Sequence, residues 1–154
     1  MTLSRILAST LVLGALSAFA PLTHAAKTCE LAIEGTDSMQ FTKPTLAVAA
    51  DCTEVKLTLK HNGKLPAAAM GHNWVLTETA AFQPVANAGM SAGLPNNYVP
   101  KDDKRVIAHT KVVGGGETTS VTFPTSALKK GGDYTFFCSF PGHWAVMKGK
   151  LTFG

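Results

Sequence analysis

The sequence predicts an all-β fold, an antiparallel sandwich or barrel with one short helix inserted between its strands. Residues 53–60 alternate polar and apolar side chains with period two, the pattern of a strand buried on one face. Further short strand-like segments recur at near-regular spacing. Turn signals separate them, at Asn62-Gly63, Gly114-Gly115-Gly116 and Lys130-Gly131-Gly132-Asp133. Many short strands punctuated in this way describe a sandwich or barrel.

The chain opens with a segment that stands outside this fold. Arg5 gives a short basic region, residues 6–20 are uncharged and apolar apart from small residues, and Pro21 breaks any helix. Thr23-His24-Ala25 offers a small-x-small cleavage signature ahead of Ala26. The apolar run is too short to span a membrane and no stop-transfer charges follow. Residues 1–25 are therefore expected to be a secretory signal peptide that is removed. Residues 26–154 remain as a single domain, long enough to pack a core without several disulfides or a structural metal.

Within that domain the expected strands are 29–34, 45–49, 53–60, 73–76, 106–113, 118–123, 134–140 and 148–153. Residues 77–93 are alanine-rich and place Ala81, Val85, Ala88 and Met90 roughly on one face, which predicts the inserted helix. Pro84 is tolerable there only in the first turn. The net charge of +4 is mild and the lysines are scattered. No basic run interleaved with aromatics points to nucleic acid, and no basic amphipathic helix points to a membrane surface.

Three cysteines are an odd number for an exported chain. An oxidising compartment favours a bridge between two and leaves one sulfur over. Cys29 and Cys52 each lie beside strand-like sequence. Cys138 stands in different company, because Cys138-Ser139-Phe140-Pro141-Gly142-His143-Trp144-Ala145-Val146-Met147 sets Cys, His and Met at C-x4-H-x3-M between two strands. Pro141-Gly142 turns the chain so that these side chains can converge. Such a thiol either pairs with another chain or is engaged chemically, and its neighbours favour the second.

A second imidazole, His72, precedes an apolar strand in Met70-Gly71-His72-Asn73-Trp74, and a sandwich can bring that loop to the same end. Thiolate and thioether are soft and suit Cu(I), while imidazole holds both copper oxidation states. Two histidines and a cysteine with a weak axial methionine form the blue-copper pattern. The expected ligands are thus His72, Cys138, His143 and Met147, holding one copper ion. His61, in the turn after the alternating strand, and His109, in mid-strand, read as structural or surface histidines. Multicopper and type-2 copper enzymes need further histidine clusters, often H-x-H, and the sequence has none.

Gly71-His72-Asn73-Trp74-Val75-Leu76, Arg105 through Lys111, Phe137 through His143, Asp37-Ser38-Met39-Gln40-Phe41 and the Cys29/Cys52 pair together resemble the azurin family of blue-copper cupredoxins. The similarity runs in register across nearly all of residues 26–154. It implies an eight-stranded Greek-key β-sandwich with one helix outside it and a Cys29–Cys52 disulfide. It also implies that the Gly71 carbonyl lies opposite Met147 as a weak fifth contact. Asn73 would brace the two ligand loops and the Phe140 amide would donate to the Cys138 sulfur. His61 matches the family's histidine beside the site, which titrates in some members and not in others. Pro84 and Trp144 depart from the family pattern without touching a ligand type.

The function so implied is that of a periplasmic, monomeric carrier of single electrons by Cu(I)/Cu(II) cycling. Its partners would be c-type cytochromes, reductases or dehydrogenases. They would dock on an apolar patch of Met39, Leu65, Pro66, Met70, Met90, Phe140 and Val146 around His143. With copper saturated by protein ligands, no position is left open for a substrate, so an enzyme is not expected. A copper-delivery protein without an electron-transfer role is the alternative, but it would favour exchangeable Met- or His-rich surface loops. A structural zinc site is disfavoured by the thioether of Met147.

Overall fold

The structure, a computed structural model, describes residues 26–154; the expected signal peptide lies outside them. One sheet holds β1 (Thr28–Thr36), β2 (Gln40–Phe41), β4 (Glu54–His61) and β7 (Thr118–Pro124), in the order β2-β1-β4-β7. The other holds β3 (Thr45–Val48), β5 (Val75–Glu78), β6 (Val106–His109), β8 (Tyr134–Phe137) and β9 (Lys148–Phe153), in the order β3-β9-β8-β5-β6. The strands pair antiparallel except β1 with β4 and β3 with β9, the two parallel pairings of this Greek-key sandwich. Among the described residues nine strands replace the expected eight because β2, two residues pairing with the end of β1, is too short to show a period.

Alternation along β4 sends Val55, Leu57, Leu59 and His61 inward, all fully buried. Ile33 on β1 and Phe123 on β7 join them, and the facing sheet contributes Leu46, Val48, Leu76, Tyr134, Phe136, Leu151 and Phe153. Trp74 fills the middle, stacked on Phe123 at 6.1 Å and Phe136 at 6.0 Å between ring centroids. Cys29 is bridged to Cys52, with Cα atoms 5.8 Å apart, across the starts of β1 and β4. Because β1 and β4 run parallel, their far ends arrive together, and Gly35 pairs with His61 at the other pole of the sandwich. That pole carries the site.

Three expected strands are shorter than their sequence patterns, two at their ends and one at its start. The strand expected over 134–140 ends at Phe137, after which the Ser139 N–H is taken by the Asn73 side chain at 2.8 Å. The strand expected over 106–113 ends at His109, with only a single bridge from Val113 to His72 beyond it. The strand expected over 73–76 begins at Val75, because the Trp74 N–H bonds to Thr110 Oγ1 at 2.9 Å. His61 thus closes β4 in the interior rather than lying in a surface turn, and the exposed His109 ends its strand.

The inserted helix is α2 (Phe82–Ala92), entered through a 3-10 turn, with Pro84 in its first turn. α1 (Ala67–Met70) is a single further turn ahead of His72. The inward face of α2 is Val85, Ala86 and Gly89, packed on Val75, Val99 and Phe137, and Met90 is exposed. At about 100° per residue Met90 falls on the side opposite Ala81, so it does not share the expected face: Val85 packs inward and Ala81 packs against the same cluster, whereas Met90 points outward. Trp144 packs against the same cluster, its ring edge-to-face with Phe82 at 6.3 Å.

Candidate metal centre

Two loops at the pole opposite the disulfide bring His72, Cys138 and His143 together. Their ligand atoms all lie within 4.8 Å of one another. Cys138 Sγ is 3.8 Å from His72 Nδ1 and 3.6 Å from His143 Nδ1. With metal–nitrogen and metal–sulfur lengths of about 2.0 and 2.3 Å, as for zinc, two donors 120° apart around one ion stand about 3.8 Å from each other. The spacing therefore fits a shared ion. Met147 is fully buried in the cluster formed with Cys138 and Phe140.

Each ring is oriented by a bond on its far side. His72 Nε2 stands 2.8 Å from the Thr36 carbonyl oxygen, so it carries the proton and donates, which leaves the Nδ1 lone pair facing the sulfur. His61 lies flat against His72, with centroids 4.2 Å apart and planes inclined by 11°. It is pinned in turn: its Nε2–H donates to the Met70 carbonyl at 2.8 Å and its Nδ1 accepts from the Gly63 N–H at 3.1 Å. Gly35 completes the floor. A Cβ there would stand 2.7 Å from His72 Cδ2 and 2.9 Å from Met147 Cε, so only glycine lets β1 pass this close.

The loop from Cys138 to Met147 is closed on itself. The Cys138 N–H donates to the Met147 carbonyl at 3.0 Å, and the Met147 N–H to the His143 carbonyl at 2.7 Å. Gly142, with φ of 82°, makes the left-handed turn that a side chain would resist. Asn73 ties this loop to the other, accepting from Ser139 N–H and donating from Nδ2 to Ser139 Oγ at 2.7 Å. The Gly71 carbonyl oxygen lies 3.8 Å from the sulfur.

Burial pushes the Cys138 thiol up to about 12, opposed by the Asn73 and Phe140 amides, which donate to the sulfur and favour the thiolate. Burial also pulls His143 down to about 4, helped by the neighbouring rings of His72 and His61. His72 is lowered by burial too, against the pull of the Thr36 carbonyl. At neutral pH both imidazoles thus offer lone pairs, and a cation that replaces the thiol proton completes the set. The site suits a soft, redox-active ion held by nitrogen and sulfur.

Of the residues expected at the docking patch, Val146 is 63% exposed, and Met39, Leu65 and Met90 are also exposed. Met70 is half-buried. Phe140 is mostly buried, its ring 4.6 Å from that of His143. Sequence reasoning missed Thr36, whose carbonyl is invisible to any side-chain motif, and Asn97, whose carbonyl accepts from Asn73 Nδ2 at 2.8 Å.

Residues 27–154 match the family described as copper binding proteins, plastocyanin/azurin family. The azurin of Alcaligenes faecalis is 57% identical over 126 residues, covering 82% of this chain and 98% of that protein. Azurin-1 of Alcaligenes xylosoxydans xylosoxydans is 59% identical over 123 residues, covering 80% and 95%. Among solved structures, an azurin (Az-iso2) from the obligate methylotroph Methylomonas sp. strain J superposes with a TM-score of 0.79 at 45% identity, covering 82% of this chain and 98% of that one.

Proposed function

The chain belongs to the copper-binding plastocyanin/azurin family, and from that premise we propose that it shuttles single electrons between redox proteins in the periplasm. The observation that supports this most is the closure of the site. His72, Cys138 and Met147 are fully buried and His143 is 3% exposed, so the ligand cluster is sealed from solvent. A site sealed in this way suits electron passage to a docked partner rather than binding and transformation of a substrate.

His72 and His143 would hold copper through Nδ1 and Cys138 through its sulfur once the proton has left, with the buried Met147 thioether and the Gly71 carbonyl as weaker donors beside them. Copper, when bound, supplies a couple that accepts and returns one electron. The protein keeps those donors in place in both states. The Thr36 carbonyl and the His61 ring hold His72, Asn73 holds the loop of Cys138, and the burial of all four side chains excludes water. Because the holding contacts are protein to protein, little needs to move when charge changes.

The partners are electron donors and acceptors such as c-type cytochromes, reductases or dehydrogenases. They dock through the apolar surface of Met39, Leu65, Met70, Met90 and Val146 that surrounds His143, with Phe140 beneath it. The protein acts as a monomer and reaches the periplasm after residues 1–25 are cleaved. Stopped-flow mixing of the oxidised copper form with a reduced c-type cytochrome tests this reading. The blue colour should bleach with one equivalent, return on reoxidation, and leave copper bound throughout. Loss of copper to a chelator on each reduction would instead mean a delivery protein.

A further inference from the structure

Asn97 belongs to none of the sequence motifs, yet it is bonded to both ligand loops. Its carbonyl oxygen accepts from Asn73 Nδ2 at 2.8 Å and from Ser139 Oγ at 3.3 Å. Its side-chain Oδ1 accepts from the Val112 N–H at 2.9 Å. Val112 packs against the cluster of Cys138, Phe140 and Met147. The next residue, Val113, exchanges two backbone hydrogen bonds with His72, each of 2.9 Å. One residue therefore reaches Cys138 through Asn73 and Ser139, and His72 through Val112 and Val113.

The backbone at this point is held in a conformation it would not choose freely. Asn97 has φ of 57° and ψ of 25°, and Tyr98 follows with φ of 53°, two successive non-glycine residues in the left-handed region. Asparagine tolerates that region best among side-chain-bearing residues, and its short amide offers an uncharged acceptor. The Asn97 N–H is tied to the Leu94 carbonyl at 2.8 Å, and the Tyr98 ring meets Phe140 edge-on at 5.2 Å.

We propose that Asn97 is a positioning residue of the copper centre, setting through Asn73–Ser139 and through Val112–Val113 where Cys138 and His72 stand. The proposal rests on the copper reading above. It differs from a simple loop-stabilising role in that the metal's own signature depends on it.

Two variants separate these. Asn97→Gly keeps the left-handed backbone and the carbonyl and deletes only the Oδ1 acceptor. Asn97→Asp keeps an acceptor in the same place. In the glycine variant the copper hyperfine splitting and the relative strength of the thiolate bands should shift. Copper release to a chelator should rise about tenfold, the scale on which groups behind metal ligands act. In the metal-free protein, hydrogen exchange at the Val112 amide should accelerate. The aspartate variant should restore release and exchange towards wild type. A glycine variant with wild-type spectrum and release, and only a lower melting temperature, would overturn the proposal. Wild-type protein that takes up no copper at all would instead overturn the copper reading, and this proposal with it.

Discussion

Cys138 meets two opposed demands at one sulfur. Burial pushes its thiol up to about 12, while the amides of Asn73 and Phe140 point at the same atom and favour the thiolate. A cation is needed to resolve the conflict, which makes the residue inert without metal and a strong ligand with it. Cys138→Ser should therefore abolish the blue band, because the thiolate supplies the transition. Met147→Leu should keep the colour and shift the potential, because a thioether tunes without forming the chromophore. Absorption spectra and voltammetry of the two variants check this. The histidines carry a pH signature. His143 is held down to about 4 against an ordinary value of 6.5, and His72 is lowered too. Between those values the unfolded chain binds protons that the folded one refuses, so stability of the metal-free protein is lost as pH falls through that window. Melting temperatures from neutral pH downward should decline between about 6.5 and about 4, and His143→Ala should flatten the decline.

At the scale of elements, the strands deliver the two ligand loops to one pole of the sandwich, where the ligands are buried. The parallel pairing of β1 with β4 separates the disulfide from the metal centre by the length of both strands, roughly 20 Å at 3.3 Å per residue. Replacing Cys29 and Cys52 together should cost about 2–4 kcal/mol of stability and leave the blue spectrum intact, as denaturant unfolding and absorption would show. α2 depends on a missing side chain. A Cβ at Gly89 would run into the backbone carbonyl of Tyr98, which cannot step aside. Gly89→Ala should destabilise by about 1–3 kcal/mol through overpacking, although alanine is the better helix former. Urea denaturation of the two proteins decides the sign.

For the molecule as a whole, the sandwich and two of the three clustered ligands were legible because each leaves a local pattern: period two in residues 53–60, and C-x4-H-x3-M after β8, whereas His72 was legible only from its neighbours in Met70-Gly71-His72-Asn73-Trp74 and from the lack of rival histidines. Strand ends, β2 and the buried face of α2 were not, since they depend on which side chain takes a backbone donor and on a phase that alanines scarcely mark. Thr36 acts through its backbone and Gly35 through the absence of a side chain, so no residue type announces them, and the Asn97 carbonyl and Oδ1 bond to partners far along the chain that no local motif shows. The proposed docking of partners on exposed apolar side chains belongs to this scale as well. Methionine surfaces adapt to several partners, and redox encounters are small and brief. Met70→Lys should slow electron self-exchange steeply with an intact blue spectrum, whereas a charge change at Lys129 should have only a modest, salt-screened effect. NMR exchange rates would measure both.

The most direct test of the account is the visible and electron-paramagnetic spectrum of purified residues 26–154 after one equivalent of Cu(II) is added to the metal-free protein. Copper held by His72, Cys138 and His143 should show an intense blue charge-transfer band and a narrow copper hyperfine pattern, both absent from Cys138→Ser. A colourless product, or a Cu(II) spectrum unchanged by Cys138→Ser, would contradict the claim that His72, Cys138 and His143 hold the metal.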